Sequence, residues 1–241
     1  MLHARQRTWL SLGFAESAVS RLRAPSVMME PSKKRCRLPG SYLTLGLSSV
    51  ITVVSGLPRS GTSLMMQMLV AGGLPALTDG LRFADENNPK GYFEWEPAKA
   101  LKQNPGAIAD AEGKVVKIIS ALLAHLPGTH EYRVVFMMRP LEEVVASQNR
   151  MLERMGKPVP QTAAAAVIAA FRKHLLEVDG WLGDKPYLKV VRMNHADVLW
   201  QPRESAATIA EFVGIPLSTE RMAAQVERSL YRERSGSRAS R

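Results

Sequence analysis

The feature that most restricts this chain is a β-branched apolar run that ends abruptly in a glycine-rich turn. Val50-Ile51-Thr52-Val53-Val54-Ser55 leads directly into Gly56-Leu57-Pro58-Arg59-Ser60-Gly61-Thr62-Ser63. β-Branched residues suit a strand, and a short run without polar alternation suits one buried on both faces of a parallel sheet. From Thr62 to Val70 the sequence reads as a helix, which Gly72-Gly73 stops. Strand, turn and helix in that order aim successive backbone N–H groups and the positive helix end at one point, the frame of a phosphate-binding loop. The two glycines let the backbone approach an anion closely. A plain strand-to-helix turn with two glycines is the other reading of the same residues; the flanking elements are the context the phosphate reading requires.

The rest of the chain repeats the alternation. Short apolar runs at 115–119, 133–138 and 188–193 read as further buried strands. Helical stretches lie at 140–155, 162–182, 204–213 and 218–231. The first of these opens with Pro140, carries Glu142 and Glu143 near its positive end, and stops at Gly156. Strands alternating with helices predict an α/β fold, a P-loop-type parallel sheet flanked by helices with right-handed crossovers. No internal repeat is present.

Composition sets the limits. With 241 residues, 46% hydrophobic and 22% charged, the chain suits one globular domain plus tails. It holds no apolar run of about 18 residues, the length that spans a bilayer. A single cysteine, Cys36, excludes an intramolecular disulfide framework and a cysteine-based zinc cage. The net charge of +10 sits at the ends: residues 1–40 carry +6, residues 226–241 carry +3, and the remainder carries +1. Such ends can bind nucleic acid or anionic lipid, but the expectation here is solvated termini, with nucleic acid not the expected partner. Residues 1–45 show no apolar period and are expected to be a disordered basic extension; 46–231 form the domain and 232–241 a basic tail. The Arg-rich, acid-poor N-terminal stretch superficially resembles an organellar transit peptide and lacks a secretory pattern. Met28 and Met29 offer an alternative, that the assigned start lies upstream of the true one. A cytoplasmic location is expected.

The details of the loop separate it from that of an ordinary ATP enzyme. A Walker A loop has Lys where this chain has Thr62, and the loop's fixed cation is instead Arg59. ATP enzymes of this class hold Mg²⁺ with an Asp at a neighbouring strand end. The strand ends here are Ile118-Ile119-Ser120, Met137-Met138-Arg139 and Arg192-Met193-Asn194, none with an Asp. A less charged phosphate, held without metal, is the expectation.

Pro58-Arg59-Ser60-Gly61-Thr62-Ser63-Leu64 resembles the 5′-phosphosulfate loop of the sulfotransferases, which use 3′-phosphoadenosine 5′-phosphosulfate (PAPS) as donor. The Arg form is similar to that of tyrosylprotein sulfotransferases and many bacterial relatives; cytosolic members usually have Lys there. The family's 3′-phosphate site, an Arg at a strand end and a Ser eight positions on, is matched by Arg139 and Ser147. Asn88-Pro89-Lys90-Gly91-Tyr92-Phe93-Glu94 looks like a segment of bacterial members, and His195-Ala196-Asp197-Val198-Leu199 to Pro202 is similar to a late family stretch. The resemblance runs from about Val50 to Val213. Independently, an Arg just past a strand's carboxyl end faces the crevice where α/β sheets bind ligands. Arg139 could instead form an ion pair with Glu142 or Glu143, leaving Ser147 facing the core.

The resemblance implies transfer of a sulfuryl group from PAPS to a small-molecule, glycan or peptide acceptor, with release of PAP. It assigns donor binding to Arg59, Ser60, Gly61, Thr62, Ser63, Arg139 and Ser147, with Arg59 also stabilising the departing 5′-phosphate. The base is left open: Glu94 and Glu86 rank level, then Asp85, then His125. Lys117 either supports the leaving group or caps a strand end. Two other classes stay in view, a P-loop kinase or NTP-binding protein with an atypical loop, and a non-catalytic PAP- or nucleic-acid-binding protein.

Overall fold

The computed structural model describes residues 49–80, 91–160 and 162–227. All of these fall in one compact unit. The expected basic extension at 1–45 and the tail at 232–241 lie outside the described residues.

Five parallel strands form one sheet: β1 (Ile51–Gly56), β2 (Ala76–Leu77), β3 (Val115–Lys117), β4 (Tyr132–Met138) and β5 (Leu188–Asn194), in the order β2-β3-β1-β4-β5. The expected α/β parallel sheet is therefore the observed one. Every residue of β1 is buried, Thr52 and Ser55 included, as in a strand covered on both faces. β5 is an edge strand and is more exposed, with Lys189 and Arg192 reaching solvent.

Alternation along the strands builds two cores. On one face Ile51, Val53, Val134, Phe136 and Leu188 meet Val178 and Leu182 of α3 (Ala164–Gly183). Three 3₁₀ segments, Glu96–Ala100, Pro105–Ala111 and Ser120–His125, close that face with Ala98, Leu101, Ile108 and Leu123. On the other face Val54, Val135, Met137 and Met193 meet a methionine-rich helix, α1 (Thr62–Gly72), through Met65, Met66 and Met68. That face is completed by α4 (His195–Trp200), α5 (Pro202–Val213) and α6 (Thr219–Ala223). Each fully buried Val or Phe here contributes about 1.5–3 kcal/mol of transfer free energy.

The remaining helix, α2 (Leu141–Arg154), follows β4 and carries Glu142 and Glu143 in its first turn. α1 ends where expected, because Gly73 takes φ 113° and its N–H bonds back to Leu69 and Val70. Three expectations are trimmed. β3 stops at Lys117 rather than 119, because Ser120 begins a 3₁₀ turn. The helix expected from 162 starts at Ala164. That expected over 218–231 is helical only across Thr219–Ala223, with 228–231 outside the described residues.

β1 connects toward β2 and β3 on one side, whereas β4 connects to β5 on the other. The chain thus reverses direction across the sheet between β1 and β4, where α/β sheets open a ligand crevice at their carboxyl ends. Gly56 is paired with Met137. The segments carrying Arg59 and Arg139 leave the sheet side by side at the same height.

Candidate active site

The turn after β1 is built from backbone conformations that few residues adopt. Gly56 has φ 145°, Gly61 φ 102°, and between them Arg59 has φ 70°. A non-glycine residue in that region costs on the order of 1 kcal/mol and marks a place where the surroundings dictate the backbone. Gly56 is also needed for space: a Cβ there would lie 2.6 Å from Ser60 Oγ and 2.7 Å from the Met137 carbonyl oxygen. Gly61 is the N-cap of α1, and no side chain caps that helix end. Thr62 and Ser63, half-buried, form its first turn.

Ser60 stands differently from the other loop residues. Its N–H donates to the Leu57 carbonyl at 3.1 Å, and its hydroxyl is buried against Gly56 with no hydrogen-bond partner among the described residues. The Ser60 side chain thus packs against the backbone of the turn.

Arg59, Arg139 and Ser147 are brought together. Arg59 Nε donates to Ser147 Oγ at 3.1 Å. Arg139 Nη1 donates to the Arg59 carbonyl at 3.1 Å, and Arg139 Nε donates to Glu143 Oε2 at 2.9 Å. The last contact is a buried ion pair, with side-chain exposures of 7% and 4%. Of the two acids that could have paired with Arg139, Glu142 is exposed and Glu143 faces inward. Glu143 and Ser147 lie one turn apart on the same face of α2, so one helix face holds both arginines. Ser147 does not merely face the core; it accepts from the loop arginine.

His195, the first residue of α4, reaches this cluster from β5. A Cβ on Gly61 would lie 2.5 Å from its Cδ2, so the imidazole rests directly on the loop. Burial, with Arg139 adding to it and Glu143 opposing it, brings His195 down to about 4. In the sequence His195 stands out only as the first residue of the His195-Ala196-Asp197-Val198-Leu199 stretch. Its signal was its position, directly after a strand's carboxyl end.

A second group stands over β2 and β3. Lys117 Nζ donates to the Tyr92 carbonyl and lies 6.0 Å from the centre of the Tyr92 ring. The Glu94 carbonyl accepts from Thr78 Oγ1 at 2.9 Å and from Asp79 N at 3.2 Å. Phe93 between them has φ 53°, a second non-glycine residue in the left-handed region. The Glu94 backbone is thereby tied to the segment that follows β2, and the residue is half-buried. Glu86 and Asp85 lie outside the described residues. His125 closes a 3₁₀ turn, lowered from its ordinary value by burial and by Lys102. A contact the sequence did not suggest joins Ser120 Oγ and His174 Nε2 at 2.9 Å. Burial lowers His174, and Glu177 opposes that shift.

Among the described residues no group of three or more His, Cys, Asp or Glu is placed to hold a metal ion. No helix among them is long and apolar enough to cross a membrane.

A family model described as "Sulfotransferase domain" matches residues 51–241. No curated protein sequence matches the chain. Among solved structures it is similar to the sulfotransferase domain from the Synechococcus PCC 7002 olefin synthase, at 17% identity over 73% of this chain and 76% of that one, with a TM-score of 0.47. It is also similar to the sulfotransferase domain from the curacin biosynthetic pathway, at 15% identity over 81% of this chain and 90% of that one, with a TM-score of 0.42.

Proposed function

Because the chain belongs to the sulfotransferase domain family, we propose that it moves a sulfuryl group from PAPS to an acceptor hydroxyl or amine and releases PAP. The observation that carries this is the convergence of two arginines at the crevice between β1 and β4, Arg139 bonded to the Arg59 carbonyl and Arg59 bonded in turn to Ser147. A donor with phosphates at both the 5′ and 3′ positions needs a cation for each, and this one crevice offers two, Arg59 and the Glu143-paired Arg139.

The turn and the α1 N-terminus bind the 5′-phosphate through the Gly61, Thr62 and Ser63 amides and the two hydroxyls. Arg59 adds a guanidinium where negative charge grows as the S–O bond breaks. Arg139 and Ser147 hold the 3′-phosphate and set the donor's register, with Glu143 fixing the plane of the Arg139 guanidinium. Bound PAPS supplies an already activated sulfuryl group, less charged than a phosphoryl group. Glu94, whose backbone is tied to the segment after β2, takes the acceptor's proton in this reading; Glu86 is the other carboxylate proposed for that role. Lys117 anchors the segment that bears Glu94.

An affinity panel of PAP, adenosine 5′-phosphosulfate and ATP, with and without Mg²⁺, tests the donor. Tightest binding of PAP, unchanged by EDTA, is the expected result. Preference for ATP with Mg²⁺ would replace this reading with a kinase or NTP-binding one.

A further inference from the structure

We propose that His195 is a positioning residue that couples the two phosphate subsites and takes up a proton from solvent when a 3′-phosphorylated nucleotide fills them; this rests on the donor reading above. His195 belongs to neither element that supplies an arginine. It arrives from the β5–α4 junction and is 8% exposed. Its ring lies against Gly61, with Cδ2 2.5 Å and Nε2 3.3 Å from where a Cβ would stand. Only glycine leaves room for the imidazole there.

The charged groups facing the ring come from two other elements. Arg139 follows β4, and Glu143 lies on α2. On its own helix Asp197 is engaged by Asn194 Nδ2 at 3.2 Å. Burial and Arg139 keep the imidazole neutral near pH 7, while Glu143 pulls the other way. A phosphate on the loop adds negative charge across Gly61 from the ring. A second phosphate on Arg139 offsets the guanidinium charge that disfavours imidazolium. Both changes favour the protonated ring. The proton comes from bulk solvent, and no covalent bond is made or broken. By linkage, nucleotide affinity strengthens as pH falls through the value His195 has in the complex, and levels off near the free-protein value of about 4.

The test is calorimetry of PAP binding to the full chain and to His195→Gln, in two buffers of different ionisation enthalpy, from pH 5.5 to 8. PAP itself titrates in this range, so the readout is the difference between the two proteins. Wild type is expected to take up more protons than the variant. Its affinity advantage is expected to grow on acidification by at most about tenfold per pH unit. Equal proton uptake by both proteins overturns the proposal. A second measurement needs no variant fold: NMR of the histidine rings in wild type should show His195 titrating between pH 5 and 8 with PAP and staying neutral without it. A His195 signal indifferent to PAP overturns the proposal. Failure of wild type to bind PAP at all removes the donor reading and this inference with it, whereas PAP binding without the proton difference removes the inference alone.

Discussion

Arg59 Nε donates a hydrogen bond to Ser147 Oγ at 3.1 Å, linking the turn after β1 to a helix 88 positions away. The loop arginine and the α2 serine thus form one unit, with Arg139 bonded to the Arg59 carbonyl behind them. Substitutions at Arg59 and Ser147 are expected to be non-additive. In a double-mutant cycle on PAP affinity, Arg59→Ala and Ser147→Ala should show a coupling of roughly 0.5–3 kcal/mol. Additive losses would mean that the two residues meet a ligand independently.

Arg59→Ala and Arg139→Ala should differ in kind. Charge grows at the 5′-phosphate during transfer, so loss of Arg59 should fall mainly on kcat. Charge at the 3′-phosphate is constant, so loss of Arg139 should fall mainly on donor affinity, by about 1.5–3 kcal/mol. Arg139→Ala should also erase most of the preference for PAPS over adenosine 5′-phosphosulfate. Equal weakening of both ligands would exclude Arg139 from the 3′-phosphate subsite.

Arg139→Ala should carry a stability cost as well, because it removes the ion-pair partner of the buried Glu143 carboxylate. Breaking a buried pair from one side costs about 3–5 kcal/mol. Arg139→Ala combined with Glu143→Gln should recover part of that loss in urea unfolding. No recovery would show that the ion pair is not the source of the cost.

Glu94→Gln should lower kcat by about 100-fold or more while leaving PAP affinity unchanged, since a base acts on the acceptor rather than on the nucleotide. Glu86→Gln, assayed alongside, discriminates the two carboxylates. A normal rate for Glu94→Gln shifts the role to Glu86.

Stability should fall on acidification through His195. Its imidazole has a value of about 4 when folded against 6.5 as its ordinary value. A group held neutral in the fold takes up a proton on unfolding, so its contribution is complete above pH 6.5, declines as pH falls, and is exhausted below about 4. The expected loss across that window is about 3 kcal/mol. Urea midpoints of wild type against His195→Gln between pH 4 and 7 measure it; parallel curves would show that the imidazole does not titrate in this way.

The parts of the site that the sequence determined by itself are those in which cause and consequence are adjacent in the chain. Gly56 to Ser63 reads as an anion turn because its strand, glycines and helix are consecutive, and backbone sterics alone select them. Arg139 is legible in part for a similar reason, since it directly follows a strand's carboxyl end, whereas Ser147 was singled out by the family resemblance. What only the tertiary structure decided are choices between partners of equal chemistry. Glu142 and Glu143 are the same residue one position apart, and packing turns Glu143 inward to Arg139. Ser147 accepts from Arg59 because β1 and β4 are neighbours, which parallel pairing through Gly56 and Met137 settles. His195 lies on Gly61 only because β5 follows β4 in the sheet and delivers its carboxyl end to the same crevice. Hydrogen bonds and burial act over a few ångströms, so their outcome is set by which segments the sheet brings together, a non-local fact that no local pattern in the chain encodes.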